Sequence, residues 1–304
     1  MNKETKGTLL ALATALVSGI AIPVNKLFVV GIDPIVFTAT RALMIGLIFL
    51  VIGLKRGEFT KNKLKFMNWK YLLAIGIIGG GLAFWLYFSG LRLTTSGRGA
   101  FLHKTLPLYT TILAFLFLKE KISKKQLLAL GLMFFGIIMI YFDKIAPNLD
   151  FWPNPSFGDL LVIIATFLWA VENTIGKKLM RDDGESNILV SFARMFVGSL
   201  FLFGLILVLG KIDVLLSLSL IQIRNLIIST GILFCYVSFW YSAVKLINIS
   251  KAATILLISP VISMILGILM FNEPTPGLQL LGSVLILAGG YLVSKVKSGF
   301  VEGV

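Results

Sequence analysis

The chain has 304 residues, of which 57% are hydrophobic and only 14% are charged, and its mean hydropathy is +0.94. Soluble domains contain about 25% charged residues, so 14 acidic and 28 basic side chains are too few to cover a water-soluble surface of this size. The composition excludes a soluble enzyme, a disordered chain and a secreted disulfide scaffold. It indicates a protein whose apolar surface is covered by lipid.

Ten apolar runs are each long enough to cross about 30 Å of hydrocarbon as a helix. The chain is therefore predicted to be an all-α integral membrane protein with ten transmembrane helices. Lys3 and Lys6 precede the first run as in a signal peptide, but the run is too long and lacks a clear cleavage site, so we keep it as a helix. The predicted helices cover residues 7–29, 34–54, 69–91, 97–118, 123–142, 157–179, 187–209, 222–245, 250–271 and 276–295.

The net charge of +14 does not indicate a nucleic-acid partner, because the basic residues lie in short clusters between the apolar runs, where membrane proteins place them. With ten crossings, 19 Lys and Arg residues fall on the side of the N-terminus, 6 fall on the other side and 3 fall inside the spans. Such an excess of positive charge marks the cytoplasmic side. Both termini of this multi-pass cell-membrane protein are thus predicted to be cytoplasmic.

The chain contains one cysteine, Cys235, and one histidine, His103. These counts exclude an internal disulfide, a cysteine-based metal cluster and the common His-pair metal sites, and we expect neither a metal nor a cofactor. No phosphate-binding loop of the type Gly-x-x-x-x-Gly-Lys-Ser/Thr occurs, and no catalytic domain fits between the spans. The sequence therefore predicts neither an enzyme nor an ATP-driven pump.

The second half of the chain repeats the first. At an offset of 153 residues, identical residues recur from the second predicted helix to the last, and an offset of 151 aligns the first and sixth helices. Matching pairs at these offsets are Arg41 and Arg194, Leu93 and Leu246, Ala100 and Ala253, Pro107 and Pro260, Glu120 and Glu273, Gln126 and Gln279, Gly136 and Gly289, Gly7 and Gly158, and Lys26 and Lys177. A constant offset over elements in the same order indicates an internal repeat.

Each repeat holds five helices, an odd number, so the second copy is predicted to enter the membrane from the opposite face. Inverted repeats of this kind are typical of secondary transporters, whose substrate site lies near the midplane between the two halves. We predict two inverted five-helix repeats, at residues 7–142 and 158–296. A duplicated scaffold without a transport role is the alternative.

Two short motifs accompany the five-plus-five pattern. Pro107 is followed by Phe-Leu-Lys-Glu-Lys-Ile at residues 117–122, and Pro260 by Met-Phe-Asn-Glu-Pro at residues 270–274, while Trp169 precedes Lys177 in the sixth helix. On these residues the chain resembles the EamA-type transporters of the drug/metabolite transporter superfamily over nearly its whole length. The resemblance implies movement of small metabolites such as amino acids. The first copy departs from it at Ser18, where the second has Trp169.

Charged residues inside the spans are costly and usually face the bundle interior or a water-filled cavity. Arg41 and Arg194 are equivalent in the two repeats, so they are expected either to serve the common scaffold or to gate the substrate route. Lys104 and Glu172 have apolar counterparts, so no shared scaffold requirement explains them. These two residues are the first candidates for substrate binding.

Lys104 lies three residues before Pro107, which removes a backbone hydrogen bond and is expected to kink the helix, as is Pro260. A cation beside a kink can anchor a carboxylate or phosphate. Glu172, in mid-helix next to Asn173, can take up and release a proton during transport or bind a substrate amine. The alternative for both charged residues is a structural ion pair between Lys104 and Glu172. His103 is expected to pack against another helix.

Several aromatic residues lie within the spans rather than at the interface that Trp and Tyr prefer: Trp85, Tyr87, Trp169, Trp240 and Tyr241. They are expected to line a cavity, or else to fill ordinary contacts between helices. The sequence as a whole predicts a secondary transporter that moves a small organic metabolite across the cell membrane by alternating access. Lys104 and Glu172 would suit the two charged ends of a zwitterion such as an amino acid. A membrane channel is the alternative, and saturable flux would distinguish the carrier from it.

Overall fold

The computed structural model describes residues 2–28, 32–272 and 276–299, and no β-strand occurs within these ranges. The fold is a bundle of long helices joined by short loops. The long helices are α1 (Lys3–Phe28), α2 (Pro34–Lys55), α3 (Trp69–Leu91), α4 (Ser96–His103 and Leu106–Leu118), α5 (Lys124–Ile140), α6 (Phe157–Asp182), α7 (Asn187–Val208), α8 (Leu220–Leu246), α9 (Ile249–Leu256 and Ser259–Phe271) and α10 (Gly277–Ser294).

Within the described residues, eight of these segments, all except α1 and α5, are long and apolar enough to cross a membrane. The all-helical membrane class is thus confirmed, whereas the count of ten crossings stays a prediction. The helices begin and end within about one helical turn of the predicted bounds. Residue 29, at the predicted end of the first helix, and the motif residues Glu273 and Pro274 lie outside the described residues.

Side chains at the helix starts explain why the helices begin where they do. A helix leaves its first backbone N–H groups without partners, and a Ser, Thr or Asp oxygen at the N-cap accepts from one of them. Ser123 caps α5 in this way, and Ser186 caps α7. Ser156 and Ser219 each form a reciprocal capping box with the residue three positions later, at the starts of α6 and α8.

The bundle has two distinct ends. Near one end, here called the termini end, the Ser298 amide and hydroxyl donate to the Glu4 carboxylate, so the first and last described helices meet there. At the other, here called the far end, Asp33 before α2 pairs with Arg92 after α3 and with Lys211 after α7. Helix α4 begins at the far end, whereas α9, its counterpart in the second repeat, begins at the termini end.

Equivalent positions of the two repeats have the same local structure. The break in α4 falls at residues 104–105 and the break in α9 at residues 257–258, 153 residues later. Lys119 and Asn272, also 153 apart, both end their helices in the left-handed backbone conformation. Helices α5 and α10 cross at Gly136 and Gly282, where an added Cβ on either glycine would lie 2.5–2.6 Å from the other's carbonyl oxygen. Small residues at this crossing allow close backbone contact.

Candidate functional site

A cavity of about 740 Å³ lies in the middle of the bundle and extends toward the far end. Its wall is formed by α1, α2, α3, α4, α6, α7 and α8, and by Tyr141 after α5. Most of the lining is apolar or aromatic. The polar and aromatic lining residues are Ser18, Arg41, Phe84, Tyr87, Phe88, His103, Lys104, Tyr141, Trp169, Asn173, Arg194, Ser229 and Tyr236.

Arg194 is positioned by an unusual stretch of backbone. Residues Ala193–Val197 of α7 form a π-helical turn, which packs against a second π-helical segment, Ile75–Leu82 in α3. The two backbones touch at Gly80 and Gly198, where an added Cβ on Gly198 would lie 2.4 Å from the Gly80 carbonyl carbon. Single π-turns inside α-helices occur frequently at functional sites. Here the turn places the Arg194 side chain at the cavity wall.

Glu172 is paired with Arg194 rather than with Lys104. Its Oε2 lies 3.7 Å from Nη1 of Arg194, and its Oε1 accepts a short hydrogen bond from the Tyr241 hydroxyl. Glu172 has no exposed surface and does not line the cavity. An added Cβ on Gly79 would lie 2.1 Å from its Cγ, so a glycine is required beside it. The alternative of a structural ion pair between Lys104 and Glu172 is therefore wrong, because Arg194 on α7 is the partner of Glu172.

Arg41, the counterpart of Arg194, also lines the cavity, but it has no carboxylate partner within the described part of the chain. Its Nη1 donates to the Ser229 hydroxyl on α8 at 2.8 Å, and its guanidinium carbon lies 4.1 Å from the centroid of the Phe37 ring. Its Nε is buried without a hydrogen-bond partner. The two equivalent arginines thus differ, since Arg194 is neutralised by a carboxylate and Arg41 is not.

Lys104 lies where α4 is interrupted. Pro107 cannot donate to the carbonyl four residues earlier, and the helix stops at His103 and restarts at Leu106. Pro260 has the same place in the second half of α9. The Lys104 ammonium donates to the Ser259 hydroxyl at 3.0 Å, across the interface of the two broken helices. Lys104 lines the cavity, with 6% of its surface exposed.

Aromatic rings form one side of the cavity. The Trp169 ring packs against Phe84, Tyr87 and His103 at centroid distances of 5.1, 5.2 and 5.1 Å. Its indole N–H donates to the Gly79 carbonyl at 2.9 Å, which fixes the ring. His103 packs against α3 and α6, in agreement with its expected contact with other helices, and also contributes to the cavity wall.

Trp85 and Trp240, expected near the cavity, do not line it. Trp85 packs with Ile35 and Leu202 in a separate hydrophobic cluster. Residues of α3 that line the cavity are spaced three or four apart, from Phe84 through Leu91, and a helix turns about 100° per residue. Trp85 therefore lies on another face of the helix, and its position fits the alternative of ordinary packing between helices.

Trp240 is 1% exposed and acts one layer behind the wall. Its indole N–H donates to Oδ1 of Asn173 at 2.8 Å, and Asn173 itself lines the cavity. Trp240 thus fixes the orientation of Asn173 rather than meeting a ligand directly. The side-chain carbonyl oxygen of Asn173 is therefore already occupied by the indole N–H of Trp240.

Six of the polar and aromatic lining residues were not predicted from the sequence: Ser18, Phe84, Phe88, Tyr141, Ser229 and Tyr236. Ser18 had appeared only as the departure from the second copy, and the others carry no signal of charge or spacing. Tyr241 was predicted only as an aromatic residue within a span, and in the structure its hydroxyl donates to Glu172. Their roles depend on which helix faces the cavity, which one sequence does not specify.

Buried polar groups close the termini end of the bundle. Glu120 has no exposed surface, and its carboxylate accepts from the Ile249 and Ser250 amides at 2.7 and 3.1 Å at the start of α9. The Lys177 ammonium donates to the Val244 and Ile247 carbonyls at 2.6 and 2.8 Å. Lys177 belongs to the basic residues on the side of the N-terminus, yet it is only 4% exposed and ties α6 to the end of α8.

The far end is held by an exposed charge cluster. Asp33 accepts from Lys211 at 2.6 Å, from Arg92 at 2.7 Å and from the Ile35 amide at 2.9 Å. Burial alone would raise the pKa of Asp33, but the hydrogen bonds from Lys211, Ile35 and Arg92 and the charge of Lys211 together hold it below its ordinary value. The ionised form of Asp33 thus stabilises this end of the bundle.

A lowered pKa has a defined consequence for stability. The contribution of Asp33 is present above the pKa of the unfolded chain and is lost as the pH falls through the lowered pKa of the folded state. We expect Asp33→Asn to lower the melting temperature at pH 7, and the difference from the wild-type protein to shrink as the pH falls from about 5 to about 3. Thermal melts of both proteins across this range check it, and a difference that grows at low pH would contradict it.

Comparison with known proteins gives the family. The EamA-like transporter family matches residues 5–142 and, a second time, residues 156–295. This chain belongs to the EamA-like transporter family. Its two EamA-like segments together span most of the chain and confirm the resemblance that the proline and glutamate motifs indicated.

Relatives of this EamA-like chain are transporters by name. It is 26% identical over 262 residues to an uncharacterized transporter, YyaM, of Bacillus subtilis (strain 168), covering 86% of this chain and 82% of the relative. It is 25% identical over 301 residues to a probable amino-acid metabolite efflux pump of Escherichia coli (strain K12), covering 94% of each. A solved structure titled only as the crystal structure of a protein superposes with a TM-score of 0.78 at 16% identity, over 95% of this chain and 98% of that one. This match to a solved structure shows the fold alone.

Proposed function

We propose that this protein is a secondary transporter that moves a small organic metabolite across the cell membrane by alternating access, without catalysing a reaction. The observation that carries the proposal is the one-sided cavity. It reaches the middle of the bundle from the far end, while Glu120 and Lys177 close the termini end with buried hydrogen bonds. An open channel would be continuous across the bundle. The family and the names of its relatives support transport.

Alternating access needs two arrangements of similar energy, which an inverted repeat supplies. We propose ten crossings in two inverted five-helix repeats, at residues 7–142 and 158–296. The matching breaks in α4 and α9, which begin at opposite ends of the bundle, support this arrangement. The crossing of α5 with α10 at Gly136 and Gly282 supports it as well, since the two helices are equivalent in the repeat.

The excess of basic residues on the termini side places both termini in the cytoplasm in this proposal. The cavity then opens outward, and the structure corresponds to an outward-facing state. Arg41 and Lys104 meet the substrate, with Tyr87, Trp169 and Asn173 beside it. Arg194 and Glu172 form the switch that couples substrate binding to movement of the helices. Protonation of Glu172 would break its pairing with Arg194 and so link transport to a proton.

The closed end predicts a way to shift the conformational equilibrium. In Glu120→Gln the side chain keeps one acceptor oxygen and presents an amide N–H where the carboxylate had accepted from the Ile249 and Ser250 amides. The start of α9 then loses its charged acceptor, and the termini end is expected to open more often. We expect Ala253→Cys, buried in α9, to react several-fold faster with an impermeant maleimide in the Glu120→Gln protein.

The labelling is done in a Cys235→Ser background, because Cys235 is a free thiol. Asp183→Asn is the matched control, since it makes the same acid-to-amide change at an exposed position. An equal labelling rate in Glu120→Gln and in the control would show that Glu120 does not hold the termini end closed.

Transport itself is tested in proteoliposomes. A panel of radiolabelled organic acids and amino acids is offered outside vesicles that contain the same unlabelled compound. A carrier gives saturable uptake that is accelerated by the compound inside, whereas a channel gives flux that rises linearly with concentration. Linear, unaccelerated flux for every transported compound would overturn the proposal in favour of the channel.

A further inference from the structure

The cavity has an unbalanced set of charges. Arg41, Lys104 and Arg194 line it, and no aspartate or glutamate lines it among the residues that the structure describes. Glu172 lies behind the wall, where it balances Arg194. Within the described part of the chain, Arg41 and Lys104 have only neutral partners, the hydroxyls of Ser229 and Ser259. Two positive charges are therefore left without a counter-ion in the wall.

Both cations retain hydrogen-bonding capacity. A guanidinium carries five N–H donors and an ammonium three. Arg41 uses one donor on Ser229, and its Nε is buried without a partner. Lys104 uses one donor on Ser259. Each is 6% exposed, and that exposure faces the cavity.

Buried charges without a counter-ion are unfavourable, and a bound anion would offset their cost through charge-assisted hydrogen bonds. A substrate ammonium, by contrast, would bring a further positive charge into the cavity. The wall offers it no carboxylate, and the carbonyl oxygen of Asn173 already accepts from Trp240. The charge of the site thus selects against amines. It also disfavours a zwitterion, whose ammonium would be left among cations.

The size and lining of the cavity indicate an organic rather than an inorganic anion. Its volume of about 740 Å³ falls within the range for small-molecule sites. The rings of Phe84, Tyr87 and Trp169 form a continuous apolar side wall, in contact at 5.1–5.2 Å. A chloride or phosphate ion would leave this wall uncovered.

We propose that the cavity binds a small organic anion, whose negative charge is balanced by Arg41 and Lys104 and whose apolar body lies against Tyr87 and Trp169. The inference rests on the proposed transport function and deepens it by naming the substrate class. It replaces the amino-acid zwitterion, for which Lys104 and Glu172 would have held the two ends, because Glu172 is not in the wall.

The test measures binding without flux, by titration calorimetry on the full chain in phosphatidylcholine nanodiscs, which contain no anionic lipid. The probes share one ring and differ in charge: phenylacetate, phenyl phosphate, phenylacetamide, phenethylamine and phenylalanine. We expect the Kd of an anionic probe to be at least about tenfold lower than that of phenylacetamide, and phenethylamine not to bind. Tighter binding of phenethylamine or phenylalanine than of both anions would overturn the proposal, as would equally tight binding of chloride or inorganic phosphate.

Arg41→Gln and Lys104→Met are each expected to raise the Kd of the bound anion at least about tenfold. Lys124→Gln, which removes an exposed cation at the termini end, is the control and should leave it unchanged. Arg41→Lys and Lys104→Arg keep the charge and should retain part of the affinity, and melting temperatures without ligand identify misfolded variants. Unchanged affinity in folded Arg41→Gln and Lys104→Met would overturn the proposal.

The hypothesis of a carrier and the hypothesis of an anion-binding site can be refuted independently of each other. Anion binding that depends on Arg41 and Lys104, without any flux in proteoliposomes, supports the site and refutes the carrier. Saturable transport of an amine, without anion binding, supports the carrier and refutes the site.

Discussion

Replacing Glu172 with glutamine is expected to destabilise the folded protein by about 3–5 kcal/mol and to abolish transport. The substitution removes the only charge that faces Arg194 among the described residues and leaves a buried guanidinium beside a neutral amide. It also weakens the bond from the Tyr241 hydroxyl, since the carboxylate is the stronger acceptor. Thermal denaturation in detergent and counterflow in proteoliposomes measure the two effects.

A double variant shows whether the loss of stability comes from the unpaired charge of Arg194 or from the changed shape of the Glu172 side chain. Removing both partners of a buried ion pair costs far less than removing one, so Glu172→Gln with Arg194→Gln is expected to melt above either single variant. Transport should stay lost, because the switch between α6 and α7 is gone. Asp183→Asn serves as the exposed acid-to-amide control. If Glu172→Gln alone melts at the wild-type temperature, the pair has no structural role.

Gly198→Ala is expected to destabilise the contact between α3 and α7. The added Cβ would lie 2.4–2.6 Å from three backbone atoms of Gly80, and backbone cannot rotate away as a side chain can. Helices α3 and α7 must separate, at a cost of about 1–3 kcal/mol or more. The separation would also draw Arg194 away from Glu172, because the Gly80 backbone lies against the Arg194 carbonyl. We expect a lower melting temperature and weaker ligand binding together.

The matched control is Gly231→Ala in α8, where an added Cβ meets nothing within 4 Å. Alanine is the better helix former by about 1 kcal/mol, so this substitution should be neutral or stabilising. Equal melting temperatures for Gly198→Ala and Gly231→Ala would show that the close contact of α3 with α7 does not constrain the structure.

Much of the fold could be predicted because it follows from hydrophobicity along the chain. A helix that crosses lipid must be apolar over its length, and its ends are marked by polar caps such as Ser123 and Ser156. The break at residues 104–105 followed from Pro107, a local effect of a missing N–H. These features depend on residues close in sequence, so one chain suffices to find them.

The partners of the buried charges could not be predicted in the same way. Lys104 and Glu172 are the two charges that break the symmetry of the repeat, and pairing them was reasonable from sequence. In the folded protein Lys104 faces Ser259 and Glu172 faces Arg194. Which charge meets which depends on how each helix is rotated about its axis. A rotation of 100° separates neighbouring residues, as Trp85 shows by leaving the cavity face that Phe84 occupies.

The sequence by itself determined that the chain is a helical membrane protein, that its two halves are copies, and which family it belongs to. These properties follow from the length of the apolar runs and from the residues that recur at a constant offset. Only the tertiary structure decided which side chains line the cavity, and that no carboxylate of the described ranges pairs there with Arg41 or Lys104. In lipid, helices associate through close packing and polar contacts rather than through hydrophobicity, so hydropathy carries no information about their faces.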